Sequence, residues 1–381
     1  MGLWVASVLL VTNALFVFLQ AVFQAYFLMR QRAFLITLYS TLYLGSVITL
    51  ILMGLDYVAP LAAMTASGAL SAAVAQLLAK RRSIQLLSLP SRPRELGRHV
   101  RFAVPAYLEI LLATGFPWIS VILIKLLGLD VVFVGYFRGA YGIVSFGILI
   151  AATLNVVVMP YVSELEAKGN TPALSLFCTR VIKLLLVLGI PASVGFLLLS
   201  RSILVLLLPN YLEATTVMQI LSFFLLLMPT YTVSSTILLG FGKPELVVWS
   251  NVIACLAALS IGLTLGHFWG VNGIAMAYIA SLSAALLYSL RAMMRHTEAR
   301  IETRGLAASV ASSIIMAALV TLVLKQMGEG LVPMLVAMGV GIATYLPLAY
   351  IAGAIARDDI EMIKMLIHIA RSKVNSKRNQ R

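Results

Sequence analysis

The chain has 381 residues, 61% hydrophobic and only 11% charged, with a mean hydropathy of +1.01 and a formal net charge of +14. Soluble domains carry about a quarter charged residues, and apolar runs of 18 or more residues recur here from end to end. Together these exclude a water-soluble protein and define an all-α, polytopic membrane protein, since helices of this length satisfy their backbone within the bilayer.

Eleven candidate spans follow in chain order, at roughly 4–28, 34–54, 57–79, 102–124, 131–158, 178–199, 214–240, 245–266, 271–292, 305–325 and 331–356. The first is too long for a signal-peptide core, lacks a basic leader and is followed by no small-residue cleavage site. Proline falls inside several: Pro105 and Pro117, Pro191, Pro229, then Pro333 and Pro347. Each removes a backbone hydrogen bond and can kink its helix. The tail, 357–381, repeats apolar residues at Ile360, Ile363, Ile367, Ala370 and Val374, which predicts a basic amphipathic helix on an anionic inner leaflet.

Alternate connections are basic. One set, including Arg30 and Arg32, the run from Lys80 to Arg101, Lys168, Lys243, the run from Arg291 to Arg304 and the tail, holds 24 of the 28 lysines and arginines. The other holds only Lys125, Arg201 and Lys325. The positive-inside rule places the first set in the cytoplasm. The expectation is a multi-pass protein of the cytoplasmic membrane with its C-terminus inside and, with eleven spans, its N-terminus outside. The positive charge is therefore mainly a topology signal, and no folded basic domain suits a nucleic-acid partner. Cys178 and Cys255 match no metal or redox spacing and read as small apolar residues.

Shifting the chain by 213 residues lays 57–82 on 270–295, so that Val58 meets Val271, Ala62 meets Ala275, Ala72 meets Ala285 and Arg82 meets Arg295. Arg30 then meets Lys243. One ungapped offset keeps three helices and two loops in phase, so helices one to three read as a parallel repeat of helices seven to nine. Three helices precede the later copy and none precedes the earlier one. The expectation is an N-terminal lobe lacking its first three helices. The organisation predicted is 1–100, a partial lobe; 101–296, a six-helix lobe; 297–356, two extra helices; and 357–381, the tail.

The stretch from "RSILVLLLPNYLEA" through "LLGFGKPE" to "GVNGIAMAYIAS" resembles the C-terminal half of Wzx-type polysaccharide flippases. These belong to the multidrug/oligosaccharidyl-lipid/polysaccharide (MOP) exporter superfamily. "GRHVRFAVPAY", "VGYFRGAYGI" and "MPYVSELEAKGN" upstream are similar to segments around the family's seventh and eighth helices. The resemblance covers nearly the whole chain and rests on the order and spacing of loose motifs. It implies two helical lobes around a cavity, an incomplete N-terminal lobe here, and alternating-access transfer of a polyprenyl-linked oligosaccharide for cell-surface polysaccharide or glycan synthesis. The implied partners are the polyprenyl-(pyro)phosphate-linked sugar, membrane lipids, and a glycosyltransferase or polymerase.

Arg138 lies about 10 Å into its span, where arginine costs roughly 2.5–3.5 kcal/mol unless it meets protein or water. Two readings stand: it receives the pyrophosphate of the cargo, as guanidinium pairs phosphate oxygens bidentately, or it is structural, paired with Glu109 or snorkelling to the outer interface. Glu109, the one clear mid-span acid, is in the first case a resting counter-ion or a coupling site for a proton or sodium. Asn13, Gln20 and Gln24 form a polar stripe on helix one, suited to sugar hydroxyls or to interhelical bonds. Asn155 is a weaker candidate of the same kind, as are Asn251 and Asn272. Gly135 and Gly139 form a G-x-x-x-G pair.

An integral-membrane enzyme would need clustered aspartates or a histidine motif, and neither occurs. No cofactor or metal is expected. The alternatives kept are a drug/cation antiporter of the same superfamily and a truncated, non-transporting form.

Overall fold

The computed structural model describes residues 2–26, 28–54, 58–81, 93–328 and 330–356, without the side chains of 2–6, 24–25, 29, 93–103, 105–106, 150–153 and 156. The predicted tail helix and residues 82–92 of the basic run between Lys80 and Arg101 lie outside the described residues. Every regular element described is helical. The chain divides into two units, Met1–Gly97 and Arg98–Arg381. The second takes in the two helices that the sequence sets apart.

The first unit holds α1 (Gly2–Ala25), α2 (Met29–Leu52) and α3 (Ala59–Arg81). The face of α3 turned inward carries only small residues: Ala59, Ala63, Ser67, Gly68, Ser71, Ala72, Ala75 and Ala79. Within a bilayer, helices associate by close packing of such faces rather than by the hydrophobic effect. Phe16, Leu19 and Phe23 of α1 fill the space above Ala72, Ala75 and Ala79. Thr12 lies against Gly68, where a methyl group would sit 3.6 Å from its hydroxyl oxygen.

The second unit begins with α4 (Pro93–Leu126) and α5 (Val131–Val144). Asp130 caps α5 by accepting a 3.0 Å bond from Val132 N–H. After a single 3-10 turn at Ser145–Gly147, α6 (Ile148–Ala167) continues the same predicted span. Next come α7 (Thr171–Leu207), a 3-10 segment Pro209–Ala214, α8 (Thr215–Leu221), α9 (Phe224–Gly240), α10 (Pro244–Thr297), α11 (Thr303–Met327) and α12 (Leu331–Ile351). At 213 residues' offset α1 maps onto 215–238, the bent pair α8 and α9, and α3 maps onto the second arm of α10.

Seven described helices are each long and apolar enough to cross a bilayer, or eight with the pair Pro209–Leu221 and Phe224–Gly240, bent by 46°, as one span. That tally takes Pro244–Thr297 as one helix, which straight would be about 80 Å long. Instead the backbone leaves helical conformation at Trp269 and at Gly270 (φ 55°, ψ −137°). The chain then doubles back, so that a methyl on Gly262 would touch the Ala277 methyl and one on Gly266 would touch Ile274. α10 is therefore two antiparallel arms. With the shorter apolar helices Ser7–Phe23 and Val131–Gly147, each of the eleven predicted spans has a helical counterpart.

α7 is the spine of the second unit. Pro191 has no N–H, so the carbonyl of Val187, four residues back, loses its helical partner. Tyr345 Oη of α12 donates to that carbonyl, and Ser309 Oγ of α11 lies 3.3 Å from it and 2.8 Å from Tyr345 Oη. In hydrocarbon a freed backbone group needs such a replacement, and here the replacement ties the last two helices to α7. Toward its N-terminus, α7 carries a polar stripe at four-residue spacing that holds the segment between α10 and α11. Ser175 Oγ donates to Glu298 O at 2.9 Å, Thr179 Oγ1 accepts from Arg300 N at 3.0 Å, and Lys183 Nζ meets Glu302 at 3.0 Å.

Candidate functional site

Arg138 stands two turns into α5, whose start is set by the Asp130 cap. Its guanidinium carbon lies over the Trp118 ring of α4, 4.5 Å from the centroid, and 5.6 Å from the ring centroid of Tyr141. It has no hydrogen bond or ion pair to a described residue, so its N–H groups are uncommitted. Tyr141 is held in turn by edge-on contacts to Phe224 at 5.4 Å and Tyr278 at 5.9 Å. Tyr278, 3% exposed, also stacks on Phe116 at 4.7 Å. A rigid aromatic hub drawn from four helices thus backs one half-buried arginine.

The anticipated pairing of Arg138 with Glu109 is not formed. Trp118, which the guanidinium covers, lies nine residues along α4 from Glu109, about 13 Å of helix. Glu109 instead falls near a polar cluster between α9 and α10. Tyr231 lies within its electrostatic reach, and Tyr231 Oη donates to Asn251 Oδ1 at 2.6 Å and lies 2.9 Å from Ser250 Oγ. One turn on from Glu109, the Leu112 carbonyl is 4.0 Å from Cys255 Sγ, which fastens α4 to the same arm. Arg138 is thus met by aromatic rings rather than by the acid.

The remaining candidates are dispersed. Asn13 is exposed and Gln20 half-buried on α1, about 90° round from the face that packs on α3. The side chain of Gln24 lies outside the described residues. Asn155 on α6 is half-buried, with its Oδ1 shielded and unpartnered. Gly135 and Gly139 do not pack on another long helix. They receive the Tyr211 ring and Leu208, at 3.0 Å and 3.1 Å from a methyl placed at each.

A cavity of about 620 Å³ opens on the same unit, lined by α7, α11, α12 and the end of α5. Its walls are carbon almost throughout, from Leu188, Leu199, Met316, Met338, Ile342 and Phe146. The Pro191 kink and Tyr345 shape one side. Ile143, also on the wall, sits five residues past Arg138 and about 140° round α5. The helix thus presents a cation on one side and a greasy slot on the other. Trp118, Tyr231 and Tyr345 went unremarked in the sequence. Only Pro191 carried a signal, since it announces a carbonyl that must find a donor.

Bent and broken helices, an arginine within a span that has no ion pair to a described residue, and an apolar slot define a class: a multi-pass helical membrane protein. The comparisons narrow it. Residues 6–341 match the family described as lipid II flippase MurJ, and the chain belongs to that family. It is a family of transporters, not enzymes. Among solved structures, the chain is similar to a lipid II flippase MurJ in an inward closed conformation, at 14% identity and a TM-score of 0.65, over 82% of this chain and 66% of that one. At that identity the likeness concerns the fold, and the chain spans just under two thirds of the matched structure. A MOP superfamily transporter from Pyrococcus furiosus is similar at 17% identity and a TM-score of 0.46, over 59% of this chain and 52% of that one, too low to carry an argument. No curated protein matches the sequence. The family shown is therefore the lipid II one, and the finer resemblance to Wzx-type flippases is not what the family match supports.

Proposed function

We propose that this protein moves a polyprenyl-pyrophosphate-linked sugar of the lipid II class from the inner to the outer leaflet of the cytoplasmic membrane, by alternating access. The observation that carries the reading is Arg138: a guanidinium inside the hydrophobic zone, backed by rings and paired with no acid. Such a group costs roughly 2.5–3.5 kcal/mol to insert, and a pyrophosphate is the partner that offsets it, through bidentate N–H to oxygen bonds. The slot on the other side of α5 suits an isoprenoid tail, which keeps to an apolar surface while the polar headgroup crosses within protein.

On this reading Arg138 receives the pyrophosphate. Glu109, within electrostatic reach of Tyr231, is the site at which a proton or cation couples to movement. Asn155, whose Oδ1 is buried without a partner, offers its amide to sugar hydroxyls; the stripe on α1 is a separate candidate for the same role within the first unit. The membrane orientation is the one set by the basic loops, with the C-terminus inside, and the product feeds peptidoglycan assembly rather than a secreted polysaccharide. A polymerase or glycosyltransferase would take up that product outside.

The test is transfer of labelled lipid II in proteoliposomes. The wild-type chain moves it, Arg138→Ala abolishes movement and Arg138→Lys keeps part. Normal transfer by the alanine variant at equal expression would sink the reading.

A further inference from the structure

An arginine that lies over an indole can be read in two ways. In one, the ring competes with the cargo for the cation. In the other, the ring prepares it. The geometry decides between them. A ring binds guanidinium through its flat face, whereas phosphate oxygens bind through the N–H groups around its edge, in the plane. The two contacts use different parts of the same group, so a guanidinium placed over the ring face keeps the N–H groups of its edge available. None is taken, since Arg138 bonds to no described carboxylate, carbonyl or hydroxyl, while its carbon stays 4.5 Å from the Trp118 centroid.

The support for the ring is also built in. Trp118 follows Pro117 and lies off the buried face of α4 formed by Phe116, Ile119, Ser120 and Leu123, so it is 52% exposed and available to a side chain from α5. Tyr141, one turn past Arg138, closes a second side at 5.6 Å and is itself fixed by Phe224 and Tyr278. A free arginine side chain has about 2 kcal/mol of rotamer entropy to lose on binding. Two rings, of which Tyr141 is itself held by its neighbours, remove part of that freedom in advance.

We propose that Trp118 is a positioning residue for cargo binding: its indole face is the platform on which the Arg138 guanidinium lies flat, edge outward to a pyrophosphate. This rests on the reading that Arg138 receives the pyrophosphate, and the experiment separates the two.

The full chain is placed in lipid nanodiscs with Trp4, Trp249 and Trp269 changed to Phe, leaving Trp118 as the single fluorophore. Inorganic pyrophosphate is the probe, followed by calorimetry and by emission. Trp118→Leu is expected to weaken binding about five- to tenfold, a size set by cation–π energies. Trp118→Phe, which keeps a ring, loses about twofold. Arg138→Gln loses binding and, with no ligand added, shifts Trp118 emission, because the charge over the indole is gone. Trp118→Leu adds nothing on top of Arg138→Gln. If Trp118→Leu binds as tightly as the parent while Arg138→Gln does not, the platform is refuted and the pyrophosphate reading stands. Emission unchanged by Arg138→Gln refutes the platform by itself. If the parent binds no pyrophosphate, or Arg138→Gln binds it normally, the reading of Arg138 falls and the platform with it.

Discussion

The carbonyl freed by Pro191 gives a prediction with its own internal control. Tyr345→Phe removes the donor to Val187 O and leaves Ser309, 3.3 Å away, to serve it alone. One hydrogen bond in a bilayer is worth about 0.6 kcal/mol on average and about 1.7 at most, so the single change costs about 1 kcal/mol. Tyr345→Phe with Ser309→Ala leaves the carbonyl with no side-chain donor from either helix, for about 2–3 kcal/mol. Restoring the missing N–H removes the need for both. In a Pro191→Ala background, residue 191 can donate to Val187 O as in any helix. The double change should then cost less than half as much as in the parent. Thermal unfolding in nanodiscs, followed by a thiol-reactive dye on Cys178 and Cys255, measures each cost within its own background. An equal cost in both backgrounds would refute the argument that the hydroxyls serve the proline.

Three further outcomes follow from particular contacts. Gly273→Ala puts a methyl 2.0 Å from the Leu265 carbonyl oxygen and should abolish the α10 hairpin, read as loss of the monodisperse peak in size-exclusion chromatography, while Gly45→Ala, with nothing within 4 Å, leaves the peak intact. Glu302→Gln and Lys183→Met each break the 3.0 Å ion pair that ties the segment between α10 and α11 to α7. Each should cost about 1 kcal/mol, since the acid is half-exposed and partly screened, and a melt unchanged by both would show that the pair does not hold that segment. Gly139→Leu should push Leu208 and Tyr211 off α5 and reduce lipid II transfer severalfold at equal expression, and transfer equal to wild type would show that this contact does not matter to movement.

The eleven spans were legible because hydropathy reports a property of each segment alone. The doubling back at Trp269 and Gly270 was legible too, as a break between two runs, although only these two residues leave helical conformation. Arg138 stood out by cost. What surrounds it did not. The depth estimate that set it beside Glu109 treats spans as straight rods and matches charge to charge. It leaves out that a guanidinium also binds a ring face, and that four aromatic residues from three helices converge at Tyr278. Aromatic and small residues are so frequent in a membrane chain that neither Trp118 nor the hydroxyls of Tyr231 and Tyr345 are marked by type or spacing.

The G-x-x-x-G pair shows how that ambiguity resolves. Gly135 and Gly139 read as a seam for a neighbouring long helix, yet they seat the Tyr211 ring from the 3-10 segment Pro209–Ala214. Tyr211 meets Tyr136 edge-on at 5.5 Å, and Tyr136 Oη donates to Glu213 at 2.8 Å. The start of α5 is thus clamped by a short segment rather than by a helix face. The next turn, with Arg138, is held by the Trp118 and Tyr141 rings, and the 3-10 turn at Ser145–Gly147 keeps right-handed helical backbone into α6. A glycine pair in this helix therefore serves a close approach by one aromatic ring, and the local fixing of α5 comes from side chains of a short segment that no spacing rule for helix pairs anticipates.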